Sequence, residues 1–205
     1  MKVRFVVASV MSIVVLAGCS SKPQLAGAAA IVGDTQIAQS EVTQQVNAVV
    51  SEVKKNPSSG AQAPSVVQLG GLVVNRLVVS AVLHRISKDN PVLAVTPKQV
   101  DAFMQQLFSQ YGEQAVTQQL LLQSAIPQSE IRDFVEDYML KQSIATTIAP
   151  GASQDEQSNA LYQYLAQQAK KIGVRVAPRF GGWDEATLQT VAGDNTLSFP
   201  ATPTN

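Results

Sequence analysis

The sequence predicts a mostly α fold: an irregular helical bundle of about six helices, with a minor two-strand pairing that joins the N- and C-terminal segments. Three observations carry this reading. Apolar residues return every three or four positions in successive stretches from Val42 to Ile172, as one face of a helix requires. Each stretch is bounded by capping or breaking residues, as at Thr96-Pro97, Gly112, Ile126-Pro127, Pro150-Gly151 and Gly173. Strand character is confined to Ile31-Val32 near the start and Val174-Arg175-Val176 near the end.

The chain opens with Lys2 and Arg4 and then the apolar run from Phe5 to Leu16. That run is too short for an ordinary membrane-spanning helix, but it has the charged n-region and apolar h-region of an export signal. It ends in Leu16-Ala17-Gly18-Cys19, where the small residues leave room for a peptidase and the lone thiol of the chain follows them. The box resembles the bacterial lipoprotein signal letter for letter. The resemblance implies cleavage before Cys19, a thioether-linked lipid on that residue, and a protein anchored to the bacterial cell membrane on its extracytoplasmic face. The plainer account is a buried structural cysteine behind an ordinary secretory signal. The expected organisation is a signal peptide over 1–18, a polar, proline-broken tether over 19–27, a helical domain over 28–184 and a loosely held tail over 185–205.

Within the domain, Ala29-Ala30-Ile31-Val32 reads as one short strand before a Gly33-Asp34 turn. Ser40 then reads as the cap of a first helix through Val42, Val46, Val49, Val50 and Val53. Residues 56–64, with two prolines and no large apolar side chain, read as a mobile loop. A second helix over about 65–87 carries two neighbouring stripes, Val66, Leu69, Val73, Leu77 and Val67, Val74, Val78, Val82, Ile86, the width expected in the middle of a bundle. Its many valines leave a buried strand pair as the weaker option.

Thr96-Pro97 restarts the chain as cap and first helical residue. Val100, Phe103, Met104, Leu107, Phe108 and Tyr111 follow as the cleanest stripe in the sequence. A shorter helix runs from Glu113 to about Ser124. Ser129 reads as the cap of the next, whose Ile131, Phe134, Val135 and Tyr138 face inward as it continues toward Ile148. Asp155 and Glu156 open a last helix with inner face Leu161, Leu165, Gln168 and Ile172, closed by Lys170, Lys171 and Gly173. Val174-Arg175-Val176 then offers Ile31-Val32 a partner.

Composition excludes several function classes. The 15 basic and 15 acidic residues balance, and removal of Lys2 and Arg4 leaves a formal charge of −2, no footprint for nucleic acid. The single cysteine is spent on the lipid, so no disulfide or thiolate metal site is expected. His84 is the only histidine, and no G-x-S-x-G elbow accompanies it. Neither a cofactor nor catalysis is expected.

Several segments together carry a family likeness. They are the opening Ala29-Ala30-Ile31-Val32-Gly33-Asp34 with Ile37 and Ser40-Glu41-Val42, the long apolar helix ending before Val95-Thr96-Pro97-Lys98-Gln99-Val100-Asp101, Ile126-Pro127-Gln128-Ser129-Glu130, and the closing Val174 to Asp184. This pattern resembles the N-terminal chaperone module of SurA-type and PrsA-type extracytoplasmic foldases, with a fold like that of the SurA N-terminal and trigger-factor C-terminal domains. The family commonly inserts a parvulin-type prolyl isomerase domain before the last helix. Here only the 148–153 connection stands in that place, so isomerase activity is not expected. The resemblance implies an ATP-independent holding chaperone for unfolded or nascent exported proteins, with a scaffold lipoprotein dedicated to one cell-envelope partner as the alternative.

Phe103, Met104, Phe108 and Tyr111 are the candidate client-binding residues, since methionine and aromatics suit adaptable recognition; such a stripe is more often core. His84 reads as a helix-surface residue. Glu136 and Asp137, adjacent on a helix, point in different directions and read as a solvated face. Arg179 and Trp183 flank a glycine turn and read as a lock holding the C-terminal segment to the helices, with stacking on or binding a partner as the lesser option. The glutamine pairs at 44–45, 105–106, 118–119 and 167–168 read as polar helix surface.

Overall fold

The computed structural model describes residues 25–55 and 66–191. The expected signal peptide with Cys19, most of the expected tether, the expected 56–64 loop and the end of the expected tail lie outside the described residues. Among those described, six α helices and five short strands follow in the order β1 (Ala28–Val32), β2 (Thr35–Ala38), α1 (Gln39–Lys55), α2 (Val66–Asp89), α3 (Pro97–Tyr111), α4 (Glu113–Ser124), α5 (Ile131–Ile148), α6 (Gln154–Ile172), β3 (Val174–Val176), β4 (Gly182–Asp184) and β5 (Gln189–Val191). The mostly α expectation holds.

The predicted pairing of the two ends is present: Ala30, Ile31 and Val32 lie opposite Val176, Arg175 and Val174 in antiparallel register. The expectation of a single N-terminal strand is corrected. After Gly33-Asp34 the chain returns as β2, with Val32 opposite Thr35, so the sheet has three strands in the order β2-β1-β3. Gly33, at the first of two loop positions, has φ 60°, which a two-residue hairpin favours in glycine. A side chain there would also meet Ile172 Cγ2 at 3.1 Å. Paired on both edges and covered by α2, β1 is buried along its whole length.

Helix α2 is the centre of the molecule. Leu69, Val73, Val74, Val78, Val82, Leu83 and Ile86 are all buried, most of both predicted stripes, whereas Val66 at the start of one is exposed and Leu77 half-buried; the helix packs against α1, α5, α6 and β1. Over Gln68–Asp89 it is long and apolar enough to cross a membrane, and its buried side chains belong to the main core of the bundle. The strand-pair option is overturned by this packing.

Local signals settle the helix ends. Thr96 accepts from the Gln99 amide and the Gln99 side chain accepts from the Thr96 amide, the reciprocal capping box that the threonine announced. Ser40 is not the cap of α1, which begins one residue earlier at Gln39, whose amide donates to the Gly27 carbonyl. Ser129 does not cap α5 either. It lies in a 3-10 turn, Gln128–Glu130, that runs straight into the helix, and its hydroxyl turns to Glu130 at 3.4 Å. The last helix starts at Gln154, one residue before its acids, and Ser153 ahead of it forms a second capping box with Glu156.

The expectation of a loose tail from residue 185 is corrected as far as Val191. Asp184 Oδ1 accepts from the amides of Ala186 and Thr187, and the chain returns antiparallel to β4 as β5. This second hairpin is strapped to α2: the Thr190 amide donates to Asn75 Oδ1 at 2.9 Å and its hydroxyl to the Gly71 carbonyl at 3.3 Å. Arg179 does lock the segment down, donating to the Ala28 carbonyl at 2.8 Å, while Trp183 packs against the main core.

A second, smaller core lies apart from the main one. Val100, Ile126, Ile131 and Val135 are buried there, with Phe103, Met104, Phe108, Leu120, Phe134 and Met139 partly buried against them. It joins the α3–α4 hairpin to one side of α5.

Candidate functional site

An apolar groove opens along that hairpin. Leu107 and Tyr111 of α3, Val116 and Leu120 of α4, and Phe134 and Tyr138 of α5 line a concavity of about 580 Å³, joined by Phe103, Ala115, Gln119 and Val135. No lining residue carries a formal charge. Its polar groups are the Tyr111 and Tyr138 hydroxyls and the Gln119 amide, which leaves an apolar floor with hydrogen-bonding atoms beside it.

Among the described residues α3 packs chiefly against two helices, α4 and α5, and the groove opens between them. The α3 stripe is wide, so one part faces the small core and the rest faces outward. Val100 is the one fully buried residue of α3, so the stripe is core only in part, with Phe103, Met104 and Phe108 half-buried against the small core and Tyr111 exposed. Of the four candidates, Phe103 and Tyr111 line the groove, whereas Met104 and Phe108 are half-buried against the small core. Phe103 bridges the two, meeting Tyr138 with ring centroids 5.7 Å apart and planes tilted by 36°. The inward placement expected for Tyr138 is corrected: its side chain is exposed at the groove, as is that of Tyr111. Phe134 and Tyr138 were missed as site residues. Their four-residue spacing on α5 was the available signal, and it was read as core.

A polar cluster lies on the other side of Phe134, between α1, α2 and α5, around a small cavity of about 150 Å³. Gln45, 5 % exposed, donates to Glu130 at 2.7 Å and accepts from Arg76 at 2.5 Å; Arg76 also donates to the Ala125 carbonyl at 3.2 Å. A turn further along α2, Ser80 donates to Asp137 Oδ1 at 3.0 Å. His84 follows, with Nε2 3.4 Å from Asp137 and Nδ1 3.9 Å from Glu136.

His84 is on the helix surface, as expected, but the solvated-face reading of Glu136 and Asp137 is corrected. Both carboxylates reach the one imidazole, and Asp137 is only 6 % exposed. The hydrogen bond to Asp137 raises the His84 pKa, with partial burial opposing it and the charges of Asp137, Glu136 and Asp133 adding to it. Burial raises the Glu41 carboxyl at the rim of the same cavity, and Glu130 pushes it the same way. Among the described residues, no group of three or more His, Cys, Asp and Glu side chains is arranged to hold a metal ion.

Comparison of the chain with models of known families, with curated proteins and with solved structures finds no match.

Proposed function

We propose that this protein is a lipid-anchored extracytoplasmic holding chaperone whose α3–α4–α5 groove takes up apolar segments of unfolded exported proteins without ATP. The open, uncharged groove is the observation that carries the reading. The lipoprotein-like box ending at Cys19 and the resemblance to SurA-type and PrsA-type modules support it from the sequence. About 580 Å³ accommodates a few side chains rather than a folded partner's face. Burying a Leu- or Phe-sized side chain contributes roughly 1.5–3 kcal/mol, so three give about 5–9 kcal/mol before association costs are met. Binding on that scale is weak and self-releasing, as suits a holder without an energy source.

The test is aggregation of a chemically unfolded exported protein, followed by light scattering with near-stoichiometric amounts of the chain. Slowed aggregation is expected, and Leu107→Glu and Tyr111→Glu, which place charge in the groove at partly or fully exposed positions, should abolish the effect without loss of helical circular dichroism. No protection across several clients overturns the reading. A single stoichiometric partner recovered from membranes, with no general protection, favours the dedicated scaffold instead.

A further inference from the structure

We propose that His84, clasped by Glu136 and Asp137, is a proton-operated latch that fixes α5 against α2 and thereby holds one wall of the groove in place. The imidazole of α2 has a carboxylate within 4 Å of each ring nitrogen, both from successive residues of α5. Asp137 is buried and already accepts from Ser80, so its charge has little water to shield it. A protonated ring donates toward both carboxylates; a neutral ring keeps one proton and serves only one of them. The half-exposed imidazole also stays in contact with bulk protons.

The surroundings favour the charged ring. Asp133 adds negative charge from α5, and Glu41 of α1 and Glu130 of the 3-10 turn lie at the far end of the same cavity. Arg76, also on that cavity, opposes them but is engaged by Gln45 and the Ala125 carbonyl. Arg85, next in the chain, is held by Asp34 and Asp89. Lys88 and Lys141 follow one turn beyond the latch on α2 and α5, and the buried residues of α6, Leu165 and Ala169, are uncharged.

The latch reaches the groove through α5 itself. Phe134 lines both the polar cavity and the groove, and Val135 and Tyr138 flank the latch residues in sequence. Losing the proton therefore loosens the helix that carries the groove wall. The latch stands on the contacts alone; its effect on the groove concerns the same surface as the proposed function, but does not require that clients bind there.

The experiment uses the chain's only histidine, whose ring signals are unambiguous in an NMR titration. The midpoint is expected above 6.5, and lower in Asp137→Asn and in Glu136→Gln than in the native chain. Glu136→Gln alters a partly exposed carboxylate, more accessible than Asp137, and remains informative if the buried Asp137→Asn fails to fold. A midpoint at the ordinary value, unmoved by Glu136→Gln, overturns the latch. An apolar fluorescent dye, anilinonaphthalene sulfonate, reads the groove: its emission should change as pH rises through the His84 midpoint in the native chain and stay level in His84→Gln. A level response in both overturns the link to the groove. Client protection is a separate measurement, so failure there leaves these outcomes intact.

Discussion

Gln45 shows how much one buried amide can hold. It joins Arg76 of α2 to Glu130 before α5, both of them partly buried. Gln45→Ala removes both bonds at once. Because the cost includes partners left unsatisfied, about 1–3 kcal/mol of stability should be lost, read as a lower urea midpoint with an unchanged slope. Proton linkage acts at the same scale through His84. Its raised pKa means a stabilising contribution that is complete below 6.5 and disappears as pH rises through the higher folded-state value. Neither contribution was legible in the sequence. Gln45 looked like any other surface glutamine, and Glu136 and Asp137 diverge on their own helix until the ring of His84 is placed between them.

At the scale of elements, the capping boxes matter most. Ser153→Ala removes the acceptor for the Glu156 amide and the donor to its carboxylate, so α6 should begin to fray and stability should fall by about 1 kcal/mol, measured by thermal unfolding. The same contacts hold the Glu156 carboxyl below its usual range, through the Ser153 amide first and the hydroxyl second. Their contribution is present above the ordinary carboxylate pKa and is lost as pH falls through the lowered one. Such ends are legible because a cap is written in neighbouring residues: Thr96-Pro97 announced α3 correctly. The β4–β5 hairpin was not legible. Its strands are three residues each, and what orders them is remote in sequence: Asn75, more than a hundred positions away, and the main core that takes up Trp183 and Leu188.

For the whole molecule, the division into a large and a small core sets where it opens. Four buried side chains hold the α3–α4 hairpin to α5, against a far more populous cluster around α2. Local opening should follow that imbalance, so amide hydrogens of α3 and α4 should exchange well before those of α2, as hydrogen-exchange mass spectrometry would read. The fold as a bundle with joined ends was readable because periodic apolar spacing and two terminal strands encode it directly. The groove was only half readable. Periodicity identifies a wide apolar face but not whether a third helix arrives to cover it.

The register of β1 with β3 has a consequence for how the chain is made. Ala30 is synthesised more than a hundred residues before its partner Val176, so one edge of the central strand must wait, uncapped, while everything between them is produced. The three-stranded sheet is thus completed by its late-arriving strand, and a nascent polypeptide stopped short of it is the form most exposed to sticking to its neighbours.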